Sequence, residues 1–265
     1  MNKKNIREKT PKILFLDIEI SPALGYVWGK WETNVIEFKD TWYILSYAYK
    51  WYGDKTPPKA VSLPDFKGYS KNKSSDLNLC KSLHKLLEEA DIVVAHNGDA
   101  FDVKKINARF LINKLLPPKP YATVDTLKIL RRKFGFMSNK LNDIGIDLGV
   151  GKKLPNSGFA TWKGAMEGDK KSWKTMTDYN IQDIILLENI YEKVRGWTTG
   201  SSMHPNINII TCENGCPTCG SYALQSRGFI RTISQIKQRF QCTDCGKWSS
   251  SKYDKNHTKT EVRAI

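Results

Sequence analysis

The sequence predicts an α/β fold: a mixed sheet, antiparallel over its first three strands and parallel over the later ones, flanked by helices and followed by a small four-cysteine module. Three observations carry this expectation. Strand-like segments at 12–19, 42–49 and 59–63 are joined by turns with no helix between them, as in an antiparallel meander. From residue 75 the apolar period becomes helical, and helices then alternate with short apolar strands, as parallel crossovers require. Finally, four of the six cysteines stand in two Cys-x-x-Cys-Gly pairs.

Residues 1–11 are polar and basic, a loose lead-in. The first strand carries Ile13-Leu14-Phe15-Leu16 and then two acids, Asp17 and Glu19. Residues 21–40 hold Pro22, Gly25, Gly29, Tyr26, Trp28 and Trp31 and read as an irregular but packed loop. Tyr43, Leu45, Tyr47 and Tyr49 then alternate with Ile44, Ser46 and Ala48, the period of a strand. Gly53-Asp54 and Pro57-Pro58 mark the turn into 59–63. Over 75–90, Leu79, Leu83, Leu86, Leu87 and Ala90 share one helical face.

A short strand at 91–95 precedes a helix at 102–115, which Pro117-Pro118 stops. A fifth strand at 121–124 leads to helices at 125–134 and 141–148. Residues 151–171, rich in Gly and Lys, give weak signals, and a last long helix spans 172–194. Gly196, Gly200, Ser201, Ser202 and Pro205 mark 196–211 as a linker. It would divide a domain over 1–195 from a module over 212–250, with 251–265 a disordered tail. There is no internal repeat.

The 265 residues are 40% hydrophobic and 26% charged, a globular balance. The net charge is +15, and residues 212–265 hold nine basic and four acidic residues, so most of the excess lies outside that segment. A field of this sign favours a polyanion such as nucleic acid, although a merely basic protein would share it. No apolar run approaches the roughly 20 residues of a membrane span. The four apolar residues before Asp17 are too few for a secretory segment. The expected compartment is the cytoplasm, bacterial or that of the host of a phage, with no membrane contact.

Acids at i and i+2 of a strand lie on one face, so Asp17 and Glu19 stand side by side. Burying two such charges costs several kcal/mol unless a cation lies between them. Mg²⁺ and Mn²⁺ prefer such oxygen ligands, while acids facing water at a strand end are the plainer reading. Downstream, Ala95-His96-Asn97-Gly98-Asp99-Ala100-Phe101-Asp102 ends a strand, turns and opens a helix. Asp102 there serves either as a ligand or as a helix cap. In the last helix Tyr179 and Asp183 are four apart, hence on one face. Other acids compete: Asp99 in the loop, Asp125 as a cap or a supporting group, and Asp178 beside Tyr179.

Asp17-x-Glu19, Asn97 before Phe101-Asp102, and Tyr179-Asn180-x-x-Asp183 together resemble the DEDD exonuclease pattern in its Tyr-bearing (DEDDy) form. The resemblance covers 12–195. It is to the proofreading domain of family-B DNA polymerases and to stand-alone phage and bacterial relatives. It implies a ribonuclease H-like mixed sheet and two Mg²⁺ or Mn²⁺ ions. Asp17 would bridge the ions, Glu19 and Asp183 would hold the one carrying the attacking water, and Asp102 the other. Tyr179 would orient that water, since an ordinary tyrosine pKa near 10 makes a poor base at neutral pH. Asn97 and His96 would touch substrate or support their loop.

Cys216, Cys219, Cys242 and Cys245 have the spacing of a structural Zn²⁺ site and look like a zinc ribbon. An iron–sulfur centre or a redox pair is the alternative. Cys212 is a substitute ligand at most, and Cys80 reads as core. So small a module cannot bury enough surface unaided, so metal would supply its folding energy. Arg227, Arg231, Lys237 and Arg239 among aromatics, with Trp248, suit phosphate contact and base stacking. A solvated surface, or docking to a replication or repair protein, fits the same residues.

The expected function is 3′→5′ exonuclease action on single-stranded DNA, the polarity being implied by the resemblance alone. The alternatives are a 3′ exoribonuclease, or a nucleic-acid-binding adaptor with minor nuclease activity.

Overall fold

The structure, a computed structural model, describes residues 11–155, 158–200, 202–211, 214–232 and 235–251. The chain runs β1 (Ile13–Ile20), β2 (Leu24–Tyr26), β3 (Glu37–Asp40), β4 (Ile44–Trp51), β5 (Lys59–Ser62), α1 (Leu77–Glu89), β6 (Ile92–Ala95) and α2 (Asp102–Ile112). It continues through β7 (Ala122–Asp125), α3 (Thr126–Lys133), α4 (Leu141–Asp147), α5 (Phe159–Glu167), α6 (Lys170–Val194) and α7 (Ile207–Thr211), then β8 (Leu224–Arg231), β9 (Ile236–Cys242) and β10 (Trp248–Ser250). Cys212 and the expected tail beyond Ser251 lie outside the described residues.

The main sheet has the order β5-β4-β1-β6-β7. β1, β4 and β5 pair antiparallel, while β6 and β7 join parallel to β1 and to each other. This is the mixed sheet that the meander and the later crossovers predict. Alternation along β1 sends Leu14, Leu16 and Ile18 to one face, against α1 and α2. Ile13 and Phe15 go to the other, against α3, α4 and the second half of α6. Asp17 and Glu19 continue this second face, so α6 can bring its own side chains over them.

Three expectations need correction. Residues 21–40 are not packed: β2 and β3 form a separate two-stranded hairpin, with Trp28 82% and Trp31 87% exposed. A two-stranded ribbon has no second layer to cover its rings. Residues 151–171 contain α5, whose only buried residues are Thr161 and Ala165, too few to leave an amphipathic signature. Residues 196–211, expected as a linker, bury Met203, His204 and Ile207. Met203 and Ile207 join the core behind α6, and the Tyr191 hydroxyl hydrogen-bonds His204 Nε2.

β8, β9 and β10 form a separate three-stranded antiparallel sheet. Cys216 and Cys219 precede it, and Cys242 and Cys245 flank the β9–β10 turn. Tyr222, Phe229, Ile230 and Trp248 are all exposed, so this sheet has almost no apolar core of its own.

Candidate metal centre

β1 continues past the end of β6, whose pairing with it stops at Phe15↔Val94. The Ile18 N–H is therefore left without a strand partner on that side. The β6–α2 turn fills the place: Asp102, the first residue of α2, accepts from Ile18 N at 3.1 Å and is buried. The turn is tight, because Asn97 takes a positive φ of 66° and a Cβ on Gly98 would strike that of Ala95. Asp125 fixes it from beneath, accepting from the backbone N–H of Asn97 at 2.9 Å and of Leu127 at 3.0 Å. Asp125 is thus a cap and a turn brace, its oxygens taken by the backbone.

α6 supplies the other wall. Asp183, Asp17 and Glu19 place ligand oxygens within 4.8 Å of one another. Asp102 adjoins this group but keeps one oxygen on Ile18, so the structure gathers three of the four expected acids and holds the fourth at their edge. Asn180 is fully buried beneath them, donating from Nδ2 to Asp17 Oδ2 at 2.6 Å. Its Oδ1 accepts from the Ser46 hydroxyl of β4 at 3.2 Å. The competing acids point elsewhere: Asp99 pairs with Lys128 and Asp178 with Lys174, both at 2.6 Å.

The electrostatics are those of a crowded, buried acid cluster. Burial first, then Asp102, Glu19 and Asp183, hold the Asp17 carboxyl well above its usual range. Burial and Asp183 push Glu19 up to about 8, with Lys153 and the Trp162 side chain pulling the other way. Burial raises Asp102 to about 7 against the pull of the Ile18 N–H. Asp183 is raised by burial and restrained by Lys153, and its Oδ1 is buried with no hydrogen-bond partner. An orphaned carboxylate oxygen among crowded acids fits a divalent cation, whose ligands are oxygens of this kind.

Lys153 is the residue that sequence reasoning missed. Its ammonium donates to Asp183 Oδ2 at 2.6 Å and to the Tyr179 hydroxyl at 2.9 Å. Burial alone would lower its pKa, but Asp183 and Tyr179 reverse this and keep it charged. The loop after α4 delivers it through Gly149 and Gly151, both at positive φ. Gln182 and Asn189 of α6 tie the loop down through the carbonyls of Lys152 and Val150. No spacing rule marks such a lysine, and only the paired glycines hint at a fixed turn.

Tyr179 lies one turn before Asp183, its ring edge-on to Trp162 of α5 at 6.3 Å. Burial raises its pKa, so the hydroxyl keeps its proton at neutral pH. Trp162 and Phe159 face Ile20, Ser21 and Pro22 across a cleft of about 430 Å³ beside the acids. His96 does not face this space. Its Nδ1 meets the Thr126 hydroxyl at 2.9 Å and its Nε2 the Asn139 carbonyl at 3.0 Å. With both ring nitrogens occupied, His96 braces the turn, the loop-supporting role of the two expected for it. Among the described residues the side chain of Asn97 has no such ties, and its positive φ sits in the turn beside the site.

In the small sheet the four cysteines cluster, with Cys216 Sγ 3.6 Å from Cys245 and Cys219 Sγ 3.7 Å from Cys242. Zn–S bonds of about 2.3 Å give a tetrahedron with edges of about 3.8 Å, so the thiols fit that ion. Of the basic residues, Arg227 and Arg231 are exposed and Lys237 is half-buried. Arg239 is exposed as well. It donates to the Arg227 carbonyl and lies over Trp248 at 4.8 Å, so it braces the sheet.

Comparison with known proteins agrees with this architecture. Residues 40–195 match the sequence model of the RNase_H_2 family, described as RNase_H superfamily. The matched range contains Asp102, Lys153, Tyr179 and Asp183, while β1 lies before it. The solved structure of the family B DNA polymerase from the hyperthermophilic archaeon Pyrobaculum calidifontis is similar, with a TM-score of 0.53 at 15% identity. That likeness covers 87% of this chain and 32% of the polymerase, and it speaks to the fold alone. No curated protein matches the sequence. Among the described residues, no helix is long and apolar enough to cross a membrane.

Proposed function

The chain belongs to the RNase H superfamily, and on that footing we propose that it is a metal-dependent 3′→5′ exonuclease, releasing nucleoside 5′-monophosphates from single-stranded DNA ends. The observation that carries this reading is the convergence of Asp17, Glu19 and Asp183 within 4.8 Å, with Lys153 joining Asp183 to the Tyr179 hydroxyl. These three, with Asp102, would hold two Mg²⁺ or Mn²⁺ ions. Bound divalent ions polarise a phosphodiester and lower the pKa of an attacking water.

The protein's own residues set the geometry. Asn180 and Ser46 fix the Asp17 carboxylate in one orientation. Lys153 donates to the Tyr179 oxygen, so the hydroxyl's own proton is free to point at water or substrate. Tyr179 then orients rather than deprotonates. Lys153 also neutralises part of the acid cluster while no divalent ion is held there. The four thiols fit a structural Zn²⁺, making the C-terminal sheet a zinc ribbon. Exposed Arg227 and Arg231 would add phosphate contacts, and docking to a replication or repair protein is the competing use of that surface.

Matched DNA and RNA oligonucleotides, labelled at the 5′ end, test the reading in Mg²⁺ or Mn²⁺. A descending ladder on DNA is expected. A ladder on RNA alone would replace it with exoribonuclease action, and no ladder on either would remove it. Asp17→Ala or Asp183→Ala should lower the rate by several orders of magnitude with the fold intact. Single variants that keep more than about a tenth of the rate would overturn the assignment of these acids.

A further inference from the structure

The hairpin of β2 and β3 and the loop that joins its strands expose several large apolar side chains. Trp28 and Trp31 are more than four-fifths exposed, and Tyr26 and Phe38 more than half. Both tryptophans lie in the loop between β2 and β3, where the Lys30 ammonium covers part of the Trp31 ring at 5.1 Å. Since fully burying a large apolar side chain is worth roughly 1.5–3 kcal/mol, two indoles so exposed forgo considerable stability. The ribbon is nevertheless well placed. At its root Ser21 N donates to the Tyr43 carbonyl, and Tyr43 N donates to Ser21 Oγ, both at 2.9 Å. Ser21 is buried, so the hairpin leaves the main sheet from a fixed point two residues after Glu19.

The surface is also continuous with the candidate centre. Pro22, just below the hairpin, lines the same cleft as Trp162, which touches Tyr179. The cleft lined by Trp162 and Phe159 beside the acids is thus bounded by Pro22, two residues before β2 begins. The hairpin itself is not basic: Lys30 and Lys39 stand against Glu32, Glu37 and Asp40. A partner there is met through flat apolar faces rather than through phosphates. Nucleobases have such faces, and stacking on protein aromatics is tolerant of sequence.

We propose that the β2–β3 hairpin is a base-stacking platform, on which Trp28 and Trp31 hold unpaired bases of a polynucleotide whose 3′ end lies at the acids. This rests on the nuclease reading above and adds a surface to it. The full-length protein would be titrated with single strands of about 4 and about 20 nucleotides, with Ca²⁺ in place of Mg²⁺ to block cleavage. The variants are Trp28→Ala/Trp31→Ala and Trp28→Phe/Trp31→Phe. Stacking is worth about 1–3 kcal/mol per base, so the alanine variant should lose between about fivefold and about 150-fold in affinity per ring for the long strand. The short strand should be bound and cleaved as before. The salt slope should not change, since no phosphate contact is lost. The phenylalanine variant should recover most of the affinity.

Both rings stand in solvent, so the fold should tolerate either change, and circular dichroism checks it. Equal affinity of wild type and alanine variant for the long strand overturns the platform and leaves the hairpin as a protein-docking surface. A uniform loss on short and long strands also overturns it. If the wild type fails to cleave the short strand in Mg²⁺, the nuclease reading falls, whatever the binding shows.

Discussion

Asn180 donates from Nδ2 to Asp17 Oδ2 over 2.6 Å, and the same amide accepts from Ser46 on the neighbouring strand. A fully buried asparagine thus couples α6 to two strands and fixes the one carboxylate expected to serve both ions. Asn180→Ala should leave Asp17 free to turn. Loss of a partner that orients a metal ligand costs about 10–100-fold in metal affinity or activity. Activity titrated against Mn²⁺ should show a raised half-saturation point, with the maximal rate largely restored at high metal. An unchanged half-saturation point would mean that Asn180 merely fills space.

Lys153 and Tyr179 should separate metal binding from turnover. Tyr179→Phe removes a hydroxyl that orients but does not ligate, so the rate should fall by about 10²–10⁴-fold with metal affinity unchanged. Lys153→Ala should slow turnover too, because the hydroxyl loses its donor. It also removes a cation that competes for Asp183, so divalent binding should hold or tighten. Calorimetry with Mn²⁺ decides: a tenfold weaker Lys153→Ala would place the lysine in support of the ion instead.

The crowded acids predict a pH dependence with a definite sign. Glu19 is pushed up to about 8 and Asp102 to about 7, both by burial before any other cause. Unfolded, such carboxyls titrate near 4. Between those limits the folded chain holds protons that the unfolded chain has lost, so stability falls as pH rises. The melting temperature in chelator should therefore drop between pH 6 and pH 8.5. With Ca²⁺ or Mg²⁺ the ionised acids are compensated, and the drop should shrink. Melting curves with the same metal-induced gap at both pH values would contradict this.

Truncation should be costly at 200 and milder after 211. Met203 and Ile207 are buried in the core behind α6, a contribution of about 1.5–3 kcal/mol each. A fragment ending at residue 200 should melt well below one ending at 211. Cys216→Ser/Cys219→Ser should release Zn²⁺ and also lower the main transition, since the Ile207 N–H is held by the Pro217 carbonyl. Calorimetry that finds the main transition unmoved by zinc loss would show the two parts to be independent.

Much of the fold was legible because its helices bury one face each and its main strands are apolar, β-rich runs bounded by turns. Tyr43, Leu45 and Tyr47 alternate, and Leu79, Leu83 and Leu87 recur, as their buried positions require. The acids were legible because Asp17-x-Glu19 and Tyr179-x-x-x-Asp183 carry their geometry in their spacing. What escaped has no such period. β2 is three residues long, and α5 buries two small groups. Lys153 arrives by two positive-φ glycines and by contacts with α6 that no local pattern records. The composition of 196–211 is that of a spacer, yet three of its side chains find a cavity in the core.

The burial of Met203, His204 and Ile207 also determines how far the cysteine module can reach. A module on a flexible tether samples a volume, and its effective concentration at a second site depends on tether length. Here Lys247 donates to the Thr198 carbonyl, and Gly196 abuts the Cys245 carbonyl so closely that a Cβ would not fit. The four-cysteine knuckle is held against the end of α6, and Asp183 lies about three turns back along the same helix from Val194. If Arg227 and Arg231 grip a strand as proposed, its length would decide whether it reaches the module and the acids together.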